Sequence, residues 1–231
     1  MKSEILLWLG LYFLLVPPFA GAGQVTLYGL LGGNTGEYSL RVTSLKEAKF
    51  RSTVHQQFDY SCGSAALATL LTYHYRDPVT EPQVFQYMYE RGDQAKIQRE
   101  GFSLLDIKLY LESHGYKADG FETSLERLAQ AGVPAIVLIT DNGYHHFVVI
   151  RGLQDGKVLV GDPSMGSRVL SISQFEGLWA NRIVFVITNK RDVAAFNATD
   201  DWNAVKAPLG MEVVGQSLAN TMLFMRGRND F

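Results

Sequence analysis

The sequence is short of three things. It holds one cysteine, no cluster of basic residues longer than two, and no apolar run long enough to cross a bilayer with ease. A lone cysteine excludes an internal disulfide. A net charge of −2 over 231 residues leaves phosphate-driven binding little to rest on, so no nucleic-acid partner is expected. The apolar run from Ile5 to Val16 falls well short of the roughly 20 residues that a spanning helix needs. Internal repeats and low-complexity tracts are absent, and nothing in the chain asks for a cofactor.

What is present begins with a short charged start, Met1-Lys2, ahead of that apolar run. Pro17-Pro18 ends the run, and Ala20-Gly21-Ala22 supplies a small-x-small cleavage pattern. This reads as a secretory signal peptide over residues 1–22, cut after Ala22, with no stable membrane insertion once it is removed. The remaining chain is 47% hydrophobic over the whole sequence, ample for one core. It divides into an extended N-terminal segment (23–50), a central domain (51–190) and a C-terminal extension (191–231) of mixed character. In that extension an amphipathic piece covers Val213 to Met225.

Val25 to Tyr28 and Tyr38 to Val42 alternate as strands, with a glycine-rich turn between them. Helical patterns follow. The first, Ser61 to Tyr75, is small and aliphatic on nearly all faces and is expected to be central and buried. Thr80-Glu81-Pro82-Gln83 has the shape of a capping box and opens a second helix to about Arg91. Arg91 to Gly101 reads as a loop. Ser103 caps a third helix ending at His114-Gly115, and Thr123 or Ser124 caps a fourth. The period then becomes extended: Val133 to Ile139, a turn at Asp141-Asn142-Gly143, a return strand from Tyr144 to Gly152, a turn at Asp155-Gly156, then Lys157 to Gly161 and Arg168 to Ile172. Arg182 to Thr188 is expected to close the sheet. Helices first and an antiparallel meander second make an α+β fold.

Cys62 stands where the polar loop from Gln56 to Ser61 becomes the first helix. A helix start offers free N–H groups and partial positive charge, which ease loss of the thiol proton. A thiol nucleophile needs a base, and the base needs an orienter. Of five histidines, His74 and His114 are better read as favourable charge at helix C-termini, and His55 as a loop hydrogen bond. His145 and His146 begin the return strand, and alternation lets only one of them face the site, with spacing alone silent on which. Counting through the next turn sets Asp162 about one to three positions beyond His146 on the paired strand, within cross-strand or diagonal reach. Gln56 is the candidate oxyanion donor and Gln57 its competitor. A zinc site from Cys62, His145 and His146 lacks a fourth ligand and the usual spacing.

From about Val54 to Lys190 the chain resembles the papain-like cysteine peptidases that process bacteriocins and double-glycine leader peptides. The residues that carry the resemblance are Gln56 six positions before Cys62, the small residues Gly63-Ser64-Ala65-Ala66 after it, the His146-Phe147-Val148-Val149-Ile150 strand, and the Asp162-Pro163-Ser164-Met165-Gly166 turn. Ser61 departs from the pattern, since many members carry Asp or Glu there. Among these peptidases the chain is most similar to the stand-alone exported members that serve functional-amyloid secretion. The resemblance implies a papain-like fold with a helical part before an antiparallel sheet, and a periplasmic location. It implies a Cys62–His146–Asp162 triad with Gln56 and the Cys62 N–H on the oxyanion. The implied partner is a polypeptide cut near small or glycine residues: a secreted amyloid or its outer-membrane export component. A non-catalytic peptide-binding module of the same fold, and a papain-like acyl or amide transferase, are the alternatives.

Overall fold

The computed structural model describes residues 23–28, 37–42, 45–141 and 143–206. The signal peptide, the Gly32–Gly36 turn and the Val213–Met225 piece lie outside the described residues. The chain forms two compact units, divided between Ser44 and Leu45. In the first, β1 (Gly23–Tyr28) pairs antiparallel with β2 (Glu37–Val42), Gly23 opposite Val42 and Tyr28 opposite Glu37.

The second unit opens with α1 (Leu45–Lys49) and α2 (Cys62–Thr69), which continues as a π-helical turn over Leu70–His74. Then come α3 (Glu81–Arg91), α4 (Gln94–Glu100), α5 (Leu104–Ser113), β3 (Ala118–Glu122) and α6 (Leu125–Ala131). The strands β4 (Ala135–Asp141), β5 (Tyr144–Gln154), β6 (Lys157–Asp162) and β7 (Gly166–Ser171) follow, with α7 (Ile172–Leu178), β8 (Ile183–Ile187) and α8 (Thr199–Lys206) after them. No described helix is long and apolar enough to cross a membrane.

The capping chemistry matches the helix starts read from sequence. Thr80 with Gln83, and Ser103 with Asp106, form reciprocal capping boxes, and Ser124 rather than Thr123 caps α6. The 91–101 segment differs from its expected loop. Asp93 accepts from the Lys96 N–H at 3.0 Å, Ile97 is buried, and Gly101 ends the turn in the left-handed region at φ 79°, so a short helix closes where polarity alone suggested none. Sheet order is the other difference. The six strands run β3-β8-β4-β5-β6-β7, so the last strand inserts between β3 and β4 rather than extending the meander past β7.

Two cores lie on the two faces of this sheet. Leu67, Leu70 and Leu71 of the α2 region pack with Ile107, Leu111, Phe147 and Val149. Leu125, Leu128, Phe175 and Trp179 pack with Val137, Val148 and Ile150. Every residue of α2 is buried, in keeping with its small, all-round apolar sequence. Gly63 permits the close approach of α2. A Cβ there would lie 2.9 Å from Phe102 Cβ and 3.5 Å from the Phe147 ring. Any side chain at this position would meet Phe102, so that α2 or the Phe102 segment would have to shift.

The start of the C-terminal segment is packed rather than featureless. A break in register between Ile150 and Gly152 turns Arg151 into the interior, fully buried. Its guanidinium donates to Ser167 at 2.8 Å and Ser52 at 2.7 Å, and its Nε to His74 at 3.1 Å. Its charge is met by Asp201 of α8 in a close ion pair. His74 Nδ1 meets the Ala195 carbonyl at 2.8 Å. Burial, and then the Arg151 charge, hold His74 down to about 4. It is therefore neutral at ordinary pH, which corrects the reading of a charged helix end. Asp201→Ala leaves a buried guanidinium without its counter-charge, and the expected loss is about 3 to 5 kcal/mol in urea unfolding. A loss under about 1 kcal/mol, the value of a surface pair, would mean that α8 does not hold this charge.

Candidate active site

Cys62 is the first residue of α2, with Ser61 in the N-cap position. The Ser61 hydroxyl does not cap. It turns back to the Phe58 backbone, accepting from the Phe58 N–H at 3.1 Å and donating to its carbonyl at 3.0 Å, which tightens the loop before the helix. Behind the helix start, Ser64 Oγ lies 2.8 Å from the Ser61 carbonyl and 3.0 Å from Glu81 Oε1. Glu81, buried at the start of α3, thus grips the first turn of α2 through Ser64.

Two contacts carry the loop to the sheet. The Gln56 N–H donates to the Pro163 carbonyl at 3.0 Å, which seats Gln56 beside the turn after β6. The Tyr144 hydroxyl, from the first residue of β5, donates to the Asp59 carbonyl. Alternation then decides between the two histidines. Tyr144 and His146 share a face, their rings stacked at 5.4 Å, while His145 is exposed on the other face against the Thr140 hydroxyl at 2.8 Å. His146 is 3% exposed, and Tyr144 stacked beside it reaches the loop that leads into Cys62. Gln56 is buried and Gln57 is exposed, so of the two amides only Gln56 faces inward.

Gly161 pairs with Val149, so Asp162 falls two positions beyond His146, inside the expected range. The contact is direct: His146 Nε2 lies 3.1 Å from Asp162 Oδ2. Asp162 is fully buried, and its Oδ1 accepts from the Ser164 N–H at 2.9 Å, the Ser164 hydroxyl at 2.7 Å and the Met165 N–H at 3.2 Å. Arg168 of β7 adds a charge, its Nη2 3.0 Å from Oδ2. Burial alone would raise this carboxyl, but the hydrogen bonds from His146 and Ser164 outweigh it and hold Asp162 at about 2. A carboxylate only accepts, so Nε2 carries the ring proton. In the neutral ring Nδ1 is then the acceptor nitrogen, and it is buried without a hydrogen-bond partner among the described residues.

The thiol departs from expectation in one respect. Burial pushes Cys62 above its ordinary value, and the Asp162 charge adds to that, while the N–H groups of Phe147 and Gly63 pull the other way. The helix-start effect therefore loses to desolvation at a residue only 6% exposed. The Phe147 contact places the sulfur against the backbone next to His146. The Gln56 amide is also engaged, its Nε2 donating to the Phe58 carbonyl at 3.1 Å and, weakly, to the Asp59 carbonyl at 3.5 Å. Arg168 and Tyr144 are the site residues that sequence reasoning missed. For Arg168 a signal existed: Gly166 pairs with Asp162, and two residues on, alternation returns to the same face. Among the described residues, no group of three or more His, Cys, Asp or Glu could hold a metal ion.

Comparison with known proteins bears on this arrangement. The model of the family described as "Peptidase C39 family" matches residues 51–191, more than half of the chain. The chain belongs to the Peptidase C39 family. Two curated relatives bear the name "Probable functional amyloid protease FapD". The one from Pseudomonas aeruginosa is 42% identical over 64% of this chain and 65% of its own length. The one from Pseudomonas fluorescens is 39% identical over 72% of each. The chain thus spans just under two thirds of the first relative. The crystal structure of the peptidase domain of Streptococcus ComA, a bi-functional ABC transporter, shares the fold at TM-score 0.50, with 19% identity over 59% of this chain and 97% of that one. Helices ahead of a six-stranded antiparallel sheet are the papain-like layout of this family.

Two outcomes follow from the charges at the site. Asp162 is depressed when folded, so the stability it contributes is whole above about pH 4 and is lost as pH falls through about 2. The stability difference between the wild-type chain and Asp162→Asn, read by urea unfolding, should shrink by about 2 kcal/mol between pH 5 and pH 2. A difference flat with pH would show that the carboxylate is not held as described. For Cys62, alkylation by iodoacetamide in the absence of substrate should still be rising at pH 9, and a plateau reached near neutrality would show a preformed thiolate instead.

Proposed function

We propose that the protein is an exported thiol peptidase of the C39 family that cuts a polypeptide near small or glycine residues. Cys62 attacks the scissile carbonyl. His146 takes the thiol proton on Nδ1 as attack begins and returns it to the leaving amine. Because burial keeps the resting thiol protonated, the base acts during the attack rather than before it. Asp162, accepting from Nε2, keeps the proton off Nδ1 and stabilises the imidazolium that forms. The Cys62 N–H and the Gln56 amide bind the oxyanion. Gln56 has one N–H held only at 3.5 Å, and that is the group free to turn to substrate.

The reading rests chiefly on one observation: a buried ring nitrogen left without a hydrogen-bond partner among the described residues, on a histidine whose other nitrogen is held by a carboxylate. A structural histidine so deep would be expected to satisfy both nitrogens. Family membership and two relatives named as functional amyloid proteases support the substrate class, a secreted amyloid or a component of its outer-membrane export route. The N-terminal pattern over residues 1–22 supports a periplasmic location.

His146→Ala should lower turnover about 10² to 10⁴-fold while His145→Ala leaves it near wild type. The reverse result would transfer the base to the other histidine. Gln56→Ala should cost about 10² to 10³ in kcat with the fold intact, and no loss would remove Gln56 from the oxyanion. Mass spectrometry of proteins exported by the host, with wild-type chain against Cys62→Ala, should reveal new termini only in the wild type. Identical termini in both would sink the peptidase reading.

A further inference from the structure

The two oxygens of Asp162 keep different company. Oδ1 is bound entirely by its own turn, through Ser164 and Met165. Oδ2 has two partners from distant positions, His146 Nε2 at 3.1 Å and Arg168 Nη2 at 3.0 Å. Arg168 therefore sits on the same oxygen that takes the histidine. Its other terminal nitrogen, Nη1, lies 3.6 Å from Asp141 Oδ2 and 3.4 Å from the Met165 sulfur. Asp141 ends β4, immediately before the turn that leads to Tyr144 and His146. One guanidinium thus spans from the acid's carboxylate to the hairpin that carries the base.

The arrangement is costly as mere structure. The Arg168 side chain is 19% exposed, and its Nε and Nη2 are buried without an aligned hydrogen bond among the described residues. The contact with Oδ2 is therefore one of charge. A cation so placed forfeits hydration, and an apolar residue of similar size commonly serves stability as well or better. What an apolar residue would not do is fix the carboxylate. Three donors hold Oδ1, and the guanidinium holds Oδ2, so the carboxylate plane does not turn and one Oδ2 lone pair remains aimed at His146.

We infer that Arg168 is a positioning residue of the peptidase site, which locks Asp162 Oδ2 in the orientation that takes the His146 Nε2–H and ties the β4–β5 hairpin to that carboxylate. This rests on the roles proposed above for His146 and Asp162. Arg168 touches neither sulfur nor substrate. It acts through Asp162 to keep the imidazole in the one tautomer that leaves Nδ1 open as a proton acceptor.

The test reads the tautomer directly and needs no substrate. Full-length chain labelled with ¹⁵N-histidine is compared by long-range ¹H–¹⁵N correlation above the pH at which the ring protonates, with His146→Ala used to assign the signals. The wild type should show His146 as a single tautomer protonated on Nε2. Arg168→Met, with its melting transition checked for a folded chain, should lose that single tautomer and show averaged ring shifts. Arg168→Lys, which keeps a charge near Oδ2, should restore most of it. A folded Arg168→Met that keeps the wild-type tautomer overturns the inference. Should the methionine variant not fold, Arg168→Gln, which keeps a polar head without charge, is read the same way. Asp162→Asn separates the two levels: if that variant keeps the wild-type tautomer, the role given to Asp162 fails whatever Arg168 does.

Discussion

The carboxylate of Asp162 is the constraint from which the site is built. It is fully buried yet charged, and it remains so because four donors and a cation surround it. Buried charges persist only when so compensated. The neighbouring carbonyl of Pro163 catches the Gln56 backbone, which delivers the Cys62 loop. The same carboxylate fixes the His146 proton on Nε2. Remove this one group and the His146 ring loses its reference point.

The nucleophile is held by packing rather than by charge. Gly63 lets α2 lie against Phe147 and Phe102, and that contact carries Cys62 to the backbone beside His146. Close packing has a consequence for reactivity. The thiol is so nearly enclosed that desolvation outweighs the N–H groups aimed at it, and the resting group is neutral. A thiol kept neutral and 6% exposed is poorly placed to meet oxidants, since thiolate character and access govern oxidation. Burial thus trades ready ionisation for protection, which the base role proposed for His146 would make good.

Much of this was legible along the chain because the signals were local. The small-residue run after Cys62 dictated a buried helix, and the Asp155-Gly156 turn fixed the distance from His146 to Asp162 within a residue or two. The choice between His145 and His146 needed parity, which depends on how the connection from β4 to β5 sets the register. The position of β8 between β3 and β4 is a non-local pairing with no local signature. α4 was hidden by its polarity, its evidence reduced to one Asp cap and one buried Ile97. Arg151 became a buried hub through a register break that no propensity announces. The thiol was misjudged for the same reason, since a helix-start argument is local and burial is not.

The central claim is that sulfur, imidazole and carboxylate act as one unit. A crystal structure of the chain trapped with a peptide aldehyde, which adds to the site thiol as a hemithioacetal, tests it most directly. The account predicts the adduct on Cys62, with His146 Nδ1 in hydrogen-bond reach of the new tetrahedral centre and Nε2 still on Asp162. An adduct in which His146 Nδ1 faces away from Cys62, or in which Nε2 has left Asp162, would contradict it.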